Sequence, residues 1–130
     1  MALKTIALTI CAILLFTGCG ANLEPEVSYR QVNMNEAVTM MAEETDYIIL
    51  DVRTQEEFAA GHIPDAINIP NETIGAAEIP ELPNKDQLIL VYCRSGNRSK
   101  QASEKLSALG YANITEFGGI NSWPGEIVTD

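Results

Sequence analysis

The chain has 130 residues, 46% of them hydrophobic, and its 18 acidic against 8 basic residues leave a net charge of −10. This length holds one modest core. The acidic balance excludes nucleic acid as a partner and disfavours direct adsorption to anionic lipid.

Met1 to Lys4 precede an apolar run from Thr5 to Phe16, followed by Thr17-Gly18-Cys19. One basic residue, a short apolar core and small residues before a cut site form a secretory signal. The run is shorter than the about 20 apolar residues of a comfortable membrane span. Leu15-Phe16-Thr17-Gly18-Cys19 resembles the lipobox of bacterial lipoproteins, with Phe16 where an aliphatic residue is usual. The resemblance implies a signal peptide over residues 1–18 and lipidation of Cys19. It also implies an exported protein, anchored by lipid on a periplasmic or extracellular face. An ordinary signal peptide cut nearby, or an uncleaved anchor, is the alternative. Residues 19–27 carry Glu24, Pro25 and Glu26 without periodicity and read as a tether, leaving residues 28–130 as one domain.

Within the domain, Val27 to Val32 has strand character, and Asn33-Met34-Asn35-Glu36 fits a capping box before a helical face of Ala37, Met40 and Met41. Tyr47-Ile48-Ile49-Leu50 reads as a strand ending at Asp51-Val52-Arg53. Thr54-Gln55-Glu56-Glu57 opens a short helix that stops at Gly61. His62-Ile63-Pro64-Asp65 forms a turn into a short strand, Ala66 to Ile69, and a helix is expected over Thr73 to Ala77. A loop with Pro80 and Pro83 leads to the strand Leu88 to Tyr92, then to Cys93-Arg94-Ser95-Gly96-Asn97-Arg98-Ser99. The next helix shows Ala102, Leu106 and Leu109 on one face and stops at Gly110. Ile114 to Phe117 is a last strand, and Gly118-Gly119 turns into a short helical piece ending near Trp123. Strands alternate with helices and are apolar on both faces, which predicts an α/β fold with a parallel sheet covered on both sides. Sites in such sheets lie at the carboxyl ends of strands, where both Cys93 and Asp51-Val52-Arg53 fall.

Cys93 carries the chemistry. Removal of the leader and lipidation of Cys19 would leave it the sole thiol, with no internal disulfide available. A strand turning through a Gly- and Arg-bearing loop into a helix gathers N–H groups that favour an anion. Arg94, Arg98 and Lys100 make a positive island on an acidic body, which fits an accessible anion site better than a thiol filling the core. One histidine and one free cysteine cannot assemble a zinc site, and no cofactor is required. Nothing in the sequence sets an oligomeric state.

Leu50-Asp51-Val52-Arg53, Glu57-Phe58, Gly61-His62-Ile63-Pro64, Ala66-Ile67-Asn68-Ile69-Pro70, Cys93 to Ser99, Gly118-Gly119 and Trp123 occur in the order found in a single-domain rhodanese, a sulfurtransferase. The chain resembles that family over about residues 28–127, with Asp65 where the family commonly has glycine. The resemblance implies a rhodanese-like three-layer fold with about five mainly parallel strands. It implies that Cys93 carries sulfane sulfur as a persulfide, inside a cradle of Arg94, Ser95, Gly96, Asn97 and Arg98. Arg94 and Arg98 would hold a small anionic sulfur donor such as thiosulfate. A thiophilic acceptor (cyanide or a thiol) would then take the sulfur. Asp51, Arg53, His62 and Trp123 read as framework. No general base is evident in the sequence. A sulfur-carrier or partner-docking module is the alternative. Cysteine phosphatases and arsenate reductases place five residues between Cys and Arg, whereas four separate Cys93 from Arg98.

Overall fold

The computed structural model describes residues 26–75 and 77–129, so the expected signal segment and the expected lipidation site Cys19 lie outside the described residues. Five parallel strands form one sheet: β1 (Arg30–Gln31), β2 (Tyr47–Asp51), β3 (Ile67–Asn68), β4 (Leu88–Cys93) and β5 (Ile114–Gly119). Their spatial order is β1-β5-β4-β2-β3, which places β4 at the centre. The helices are α1 (Met34–Glu43), α2 (Gln55–Ala60) and α3 (Asn97–Ala108).

Side-chain alternation divides the core between the two faces of the sheet. Leu50, Ile89, Val91, Cys93 and Ile114 pack with Ala102 and Leu106 of α3. Ile49, Leu90, Tyr92 and Phe117 pack on the other face with Ala37 of α1. The α/β fold and parallel sheet expected from the sequence are therefore present. Of the two expected capping boxes, the one at Thr54 forms in full, while at Asn33 the Glu36 carboxylate takes the Asn33 side-chain amide instead of its backbone N–H. Asn33 Oδ1 accepts from the Glu36 N–H at 2.9 Å, and Thr54 and Glu57 cap each other reciprocally.

Three elements differ from expectation, the short strand expected over Ala66 to Ile69 forming only at Ile67–Asn68. The first strand shrinks to Arg30–Gln31, because the sheet edge offers β5 alone as a partner there. Among the described residues of Thr73 to Ala77 the expected helix does not form. A single 3-10 turn, Asn71–Thr73, forms just after Pro70, with the Ile74 N–H closing on the Asn71 carbonyl. Asn71 instead spends its side chain on Gln101 and Lys105 of α3, which anchors the turn to that helix. Asp65 adopts φ 67°, the left-handed turn conformation that explains why glycine suits this position and aspartate is tolerated.

Candidate active site

Cys93 ends the central strand. A register irregularity between Val91 and Cys93 brings Cys93 opposite Gly119 of β5, so the chain leaves the sheet in a sharp turn. Gly96 closes that turn with φ 108° and starts α3, a conformation in which an L side chain is strained. Its N–H donates to Cys93 Sγ at 3.0 Å, and Ser99 Oγ lies 3.4 Å from the same sulfur. Gly119 is required for a different reason. A Cβ there would overlap the Arg94 carbonyl and the Ser95 nitrogen, so the loop rests directly on the β5 backbone.

Burial pushes the Cys93 thiol up. The contact with the Ser99 hydroxyl and hydrogen bonds from the N–H groups of Ser99, Gly96 and Ser95 outweigh it, and the net effect holds Cys93 below its ordinary value. The sequence reading expects an accessible sulfur. Cys93 is instead 1% exposed, seated on the core beneath its own loop. Both facts follow from one geometry, since amides converging on Sγ also cover it.

The expected cradle residues separate into three groups. Gly96 points its N–H at the sulfur. Arg94, Ser95 and Asn97 are exposed, and the Arg94 carbonyl accepts from the Asn121 N–H at 3.3 Å. Arg98 is half-buried and gives both guanidinium nitrogens to Glu57 of α2, at 2.7 and 2.9 Å. That fork holds Glu57 down to about 2 and raises Arg98.

The four framework residues bond to one another and to the surrounding backbone. Asp51 and Arg53 form a buried ion pair, and Arg53 Nη2 also donates to the Gly61 carbonyl at 2.7 Å. His62 stacks on Phe58 at 3.9 Å, with Nδ1 2.8 Å from the Ile63 carbonyl. Trp123 packs against the α1-side core and donates from Nε1 to the Glu126 carbonyl. Among the described residues no cluster of His, Cys, Asp or Glu could hold a metal ion.

Ser99 touches the sulfur, and Glu116 is joined to it through the Ser99 hydroxyl; neither carries a role in the sequence analysis. Ser99 is fully buried, and Glu116 of β5, 3% exposed, accepts from Ser99 Oγ at 2.6 Å and from the Gly118 N–H at 2.8 Å. The available signal was a lone carboxylate inside the apolar strand Ile114–Phe117. A groove of about 750 Å³, lined by Thr54, Glu56, Glu72, Glu78 and Glu81 among others, excludes Cys93 and its loop. Its acidic walls would repel an anionic donor.

The match to the Rhodanese-like domain runs over residues 33–126 and includes every element of this loop. The chain belongs to the rhodanese family. Thiosulfate sulfurtransferase PspE of Escherichia coli is 37% identical over 71 residues, covering 55% of this chain and 68% of that protein. The Adenylyltransferase and sulfurtransferase UBA4 of Candida albicans is 32% identical over 119 residues, covering 85% of this chain. The chain spans only 27% of the length of UBA4. The crystal structure of a rhodanese-like domain protein from Staphylococcus aureus superposes with a TM-score of 0.65 at 31% identity, covering 78% of this chain and 99% of that one. This rhodanese domain therefore has sulfurtransferases among its relatives, one of them named for thiosulfate.

Proposed function

We propose that the protein transfers sulfane sulfur from thiosulfate, or a similar small anionic donor, to a thiophilic acceptor through a persulfide on Cys93. The observation that carries this reading is the Gly96 N–H at 3.0 Å from Cys93 Sγ, within a loop that closes around one sulfur atom. The Cys93 thiolate attacks the outer sulfur of thiosulfate. A Cys93–S bond forms, the donor S–S bond breaks, and sulfite leaves with the bonding pair. The terminal persulfide sulfur carries the negative charge, which amides of the same loop would stabilise. Attack by cyanide or a thiol then removes that sulfur and regenerates the Cys93 thiolate. Four residues between Cys93 and Arg98 make a smaller ring than phosphatase chemistry uses. In the test, the purified protein is mixed with thiosulfate and cyanide. Thiocyanate should form, and Cys93→Ala should abolish it; equal production by the variant would overturn the proposal.

A carrier role is the second reading, and the 1% exposure of Cys93 favours it, because a covered sulfur exchanges slowly with solution acceptors. Stable single-sulfur addition to Cys93 by intact mass, with negligible thiocyanate turnover, would select this reading. The anchor belongs to the same proposal. Leu15 to Cys19 support a protein held at an exported membrane face by lipid on Cys19. Cys19→Ser should move it from the membrane fraction to the soluble fraction, and an unchanged distribution would remove the anchor.

A further inference from the structure

Glu116 is a carboxylate in the core, facing α3 from the middle of β5, and a buried acid needs compensating partners. The two buried or half-buried arginines nearby are committed elsewhere, Arg53 to Asp51 and Arg98 to Glu57. Glu116 Oε1 is met by the Gly118 N–H and by Ser99 Oγ, the latter at 2.6 Å. A hydroxyl carries one hydrogen. Around Ser99 Oγ lie four acceptors: Glu116 Oε1 at 2.6 Å, the Gly96 carbonyl at 2.9 Å, the Gly118 carbonyl at 3.4 Å and Cys93 Sγ at 3.4 Å. The carboxylate is the shortest and the strongest of them. While Glu116 is ionised it takes the Ser99 hydrogen, and Cys93 stands as S–H donor to Ser99 Oγ.

We propose that Cys93 and Glu116 share one proton through the Ser99 hydroxyl. The path is Sγ–H to Oγ, then Oγ–H to Oε1. Moving both hydrogens one step leaves a thiolate that accepts from Ser99 and a protonated Glu116. The proposal rests on the sulfur-transfer reading above for its use. Cys93 gives its proton to Glu116 as it attacks the donor sulfur and sulfite departs with the S–S pair. When an acceptor takes the outer sulfur, Cys93 leaves as thiolate and recovers the proton from Glu116. One residue is nucleophile in the first half and leaving group in the second, and the carboxyl answers both needs. Glu116 is a positioning residue in this scheme, since Ser99 alone of the two touches the reacting atom.

The surrounding charges favour one shared proton over none. A thiolate and a carboxylate bridged by one hydroxyl disfavour each other's ionised form. On α3, Arg98 lies within Coulombic reach of Cys93 but is paired with Glu57, and Lys100 is exposed. Arg94, in the loop, is exposed. On β1, Arg30 is in register with Thr115, whose side chain points to the opposite face from Glu116.

The test is Glu116→Gln, which keeps an acceptor oxygen for Ser99 and Gly118 but neither charge nor proton affinity. The readout is the pH dependence of Cys93 alkylation by iodoacetamide in the full chain, followed by mass of the Cys93 peptide. It needs no sulfur donor, so its failure is separate from a failure of sulfur transfer. Removing the charge should lower the apparent Cys93 pKa by about one unit, giving about tenfold faster alkylation below that value. In a Ser99→Ala background the same substitution should shift it much less, because the bridge is gone. An unchanged or raised pKa, or equal shifts in both backgrounds, overturns the proposal.

Discussion

Arg98 and Glu57 meet as two parallel forks, Nη1 on Oε1 at 2.7 Å and Nη2 on Oε2 at 2.9 Å. The pair joins the first turn of α3 to α2, so it braces the loop that begins at Cys93. The guanidinium therefore fixes the loop, and under the proposed sulfur transfer it would also offer charge to an anionic donor. Arg98→Ala should lower kcat/KM for thiosulfate by about 100-fold, the scale of a misplaced reacting group. Arg98→Lys should recover little of it, because an ammonium cannot span both carboxylate oxygens. Steady-state kinetics with thiosulfate and with a neutral organic donor check this. An equal loss for both donors would assign the arginine to bracing alone.

The same pair predicts a pH dependence of stability. Arg98 holds the Glu57 carboxyl at about 2, below its ordinary 4.5. A depressed folded-state pKa contributes stability that is complete above the unfolded value and is lost as pH falls from 4.5 toward 2. Both side chains are about one-third exposed, so screening limits the contribution to about 1 kcal/mol. Glu57→Gln should melt a few degrees below wild type at pH 7, and the gap should close by pH 2. A gap that stays constant across that range would assign the difference to packing.

Gly119 tests the contact between the loop and β5. Its backbone is extended, with φ −137°, so alanine meets no conformational obstacle. The obstacle is the Arg94 carbonyl, which a Cβ would overlap. The Arg94–Ser95 peptide must move, and with it the Ser95 N–H directed at the sulfur. Gly119→Ala should therefore destabilise by about 2 kcal/mol in urea unfolding. It should also raise the Cys93 pKa, read by alkylation rate. A stability loss with an unchanged thiol pKa would mean that β5 gave way rather than the loop.

The strands and helix N-caps could be read from the sequence because their signals are local: apolar runs for β2 and β4, Asn33 and Thr54 for α1 and α2. The order Cys93 to Ser99 likewise locates the sulfur. What the sequence does not reveal is which partner a side chain chooses. Arg98 could face a donor or Glu57, and 41 residues separate that pair along the chain. Ser99 and Glu116 meet only because α3 returns β5 beside β4, a relation that no periodicity encodes. The exposure of Cys93 was misjudged for a related reason. Flanking arginines mark an anion site, but the burial of the sulfur depends on how closely the loop sits on Gly119.

The buried pair Asp51–Arg53 gives a last prediction, about the scaffold beneath the site. Asp51 is fully buried and Arg53 is 6% exposed; Arg53 Nε lies 3.1 and 3.0 Å from the two carboxylate oxygens and Nη2 2.7 Å from Oδ2. Arg53 also donates to the Gly61 carbonyl and lies 5.8 Å over the Tyr92 ring. Arg53→Ala would strand a carboxylate with no water to solvate it, a loss of about 3–5 kcal/mol. The double variant Asp51→Leu with Arg53→Met removes both charges and should recover most of that loss. It should not recover all, since the Gly61 carbonyl still lacks its donor and Asp51 Oδ1 no longer accepts from the Arg53 N–H. Equilibrium urea unfolding of the single and double variants measures the difference. If the double variant were no more stable than Arg53→Ala, the guanidinium would owe its contribution to Gly61 and Tyr92 rather than to Asp51.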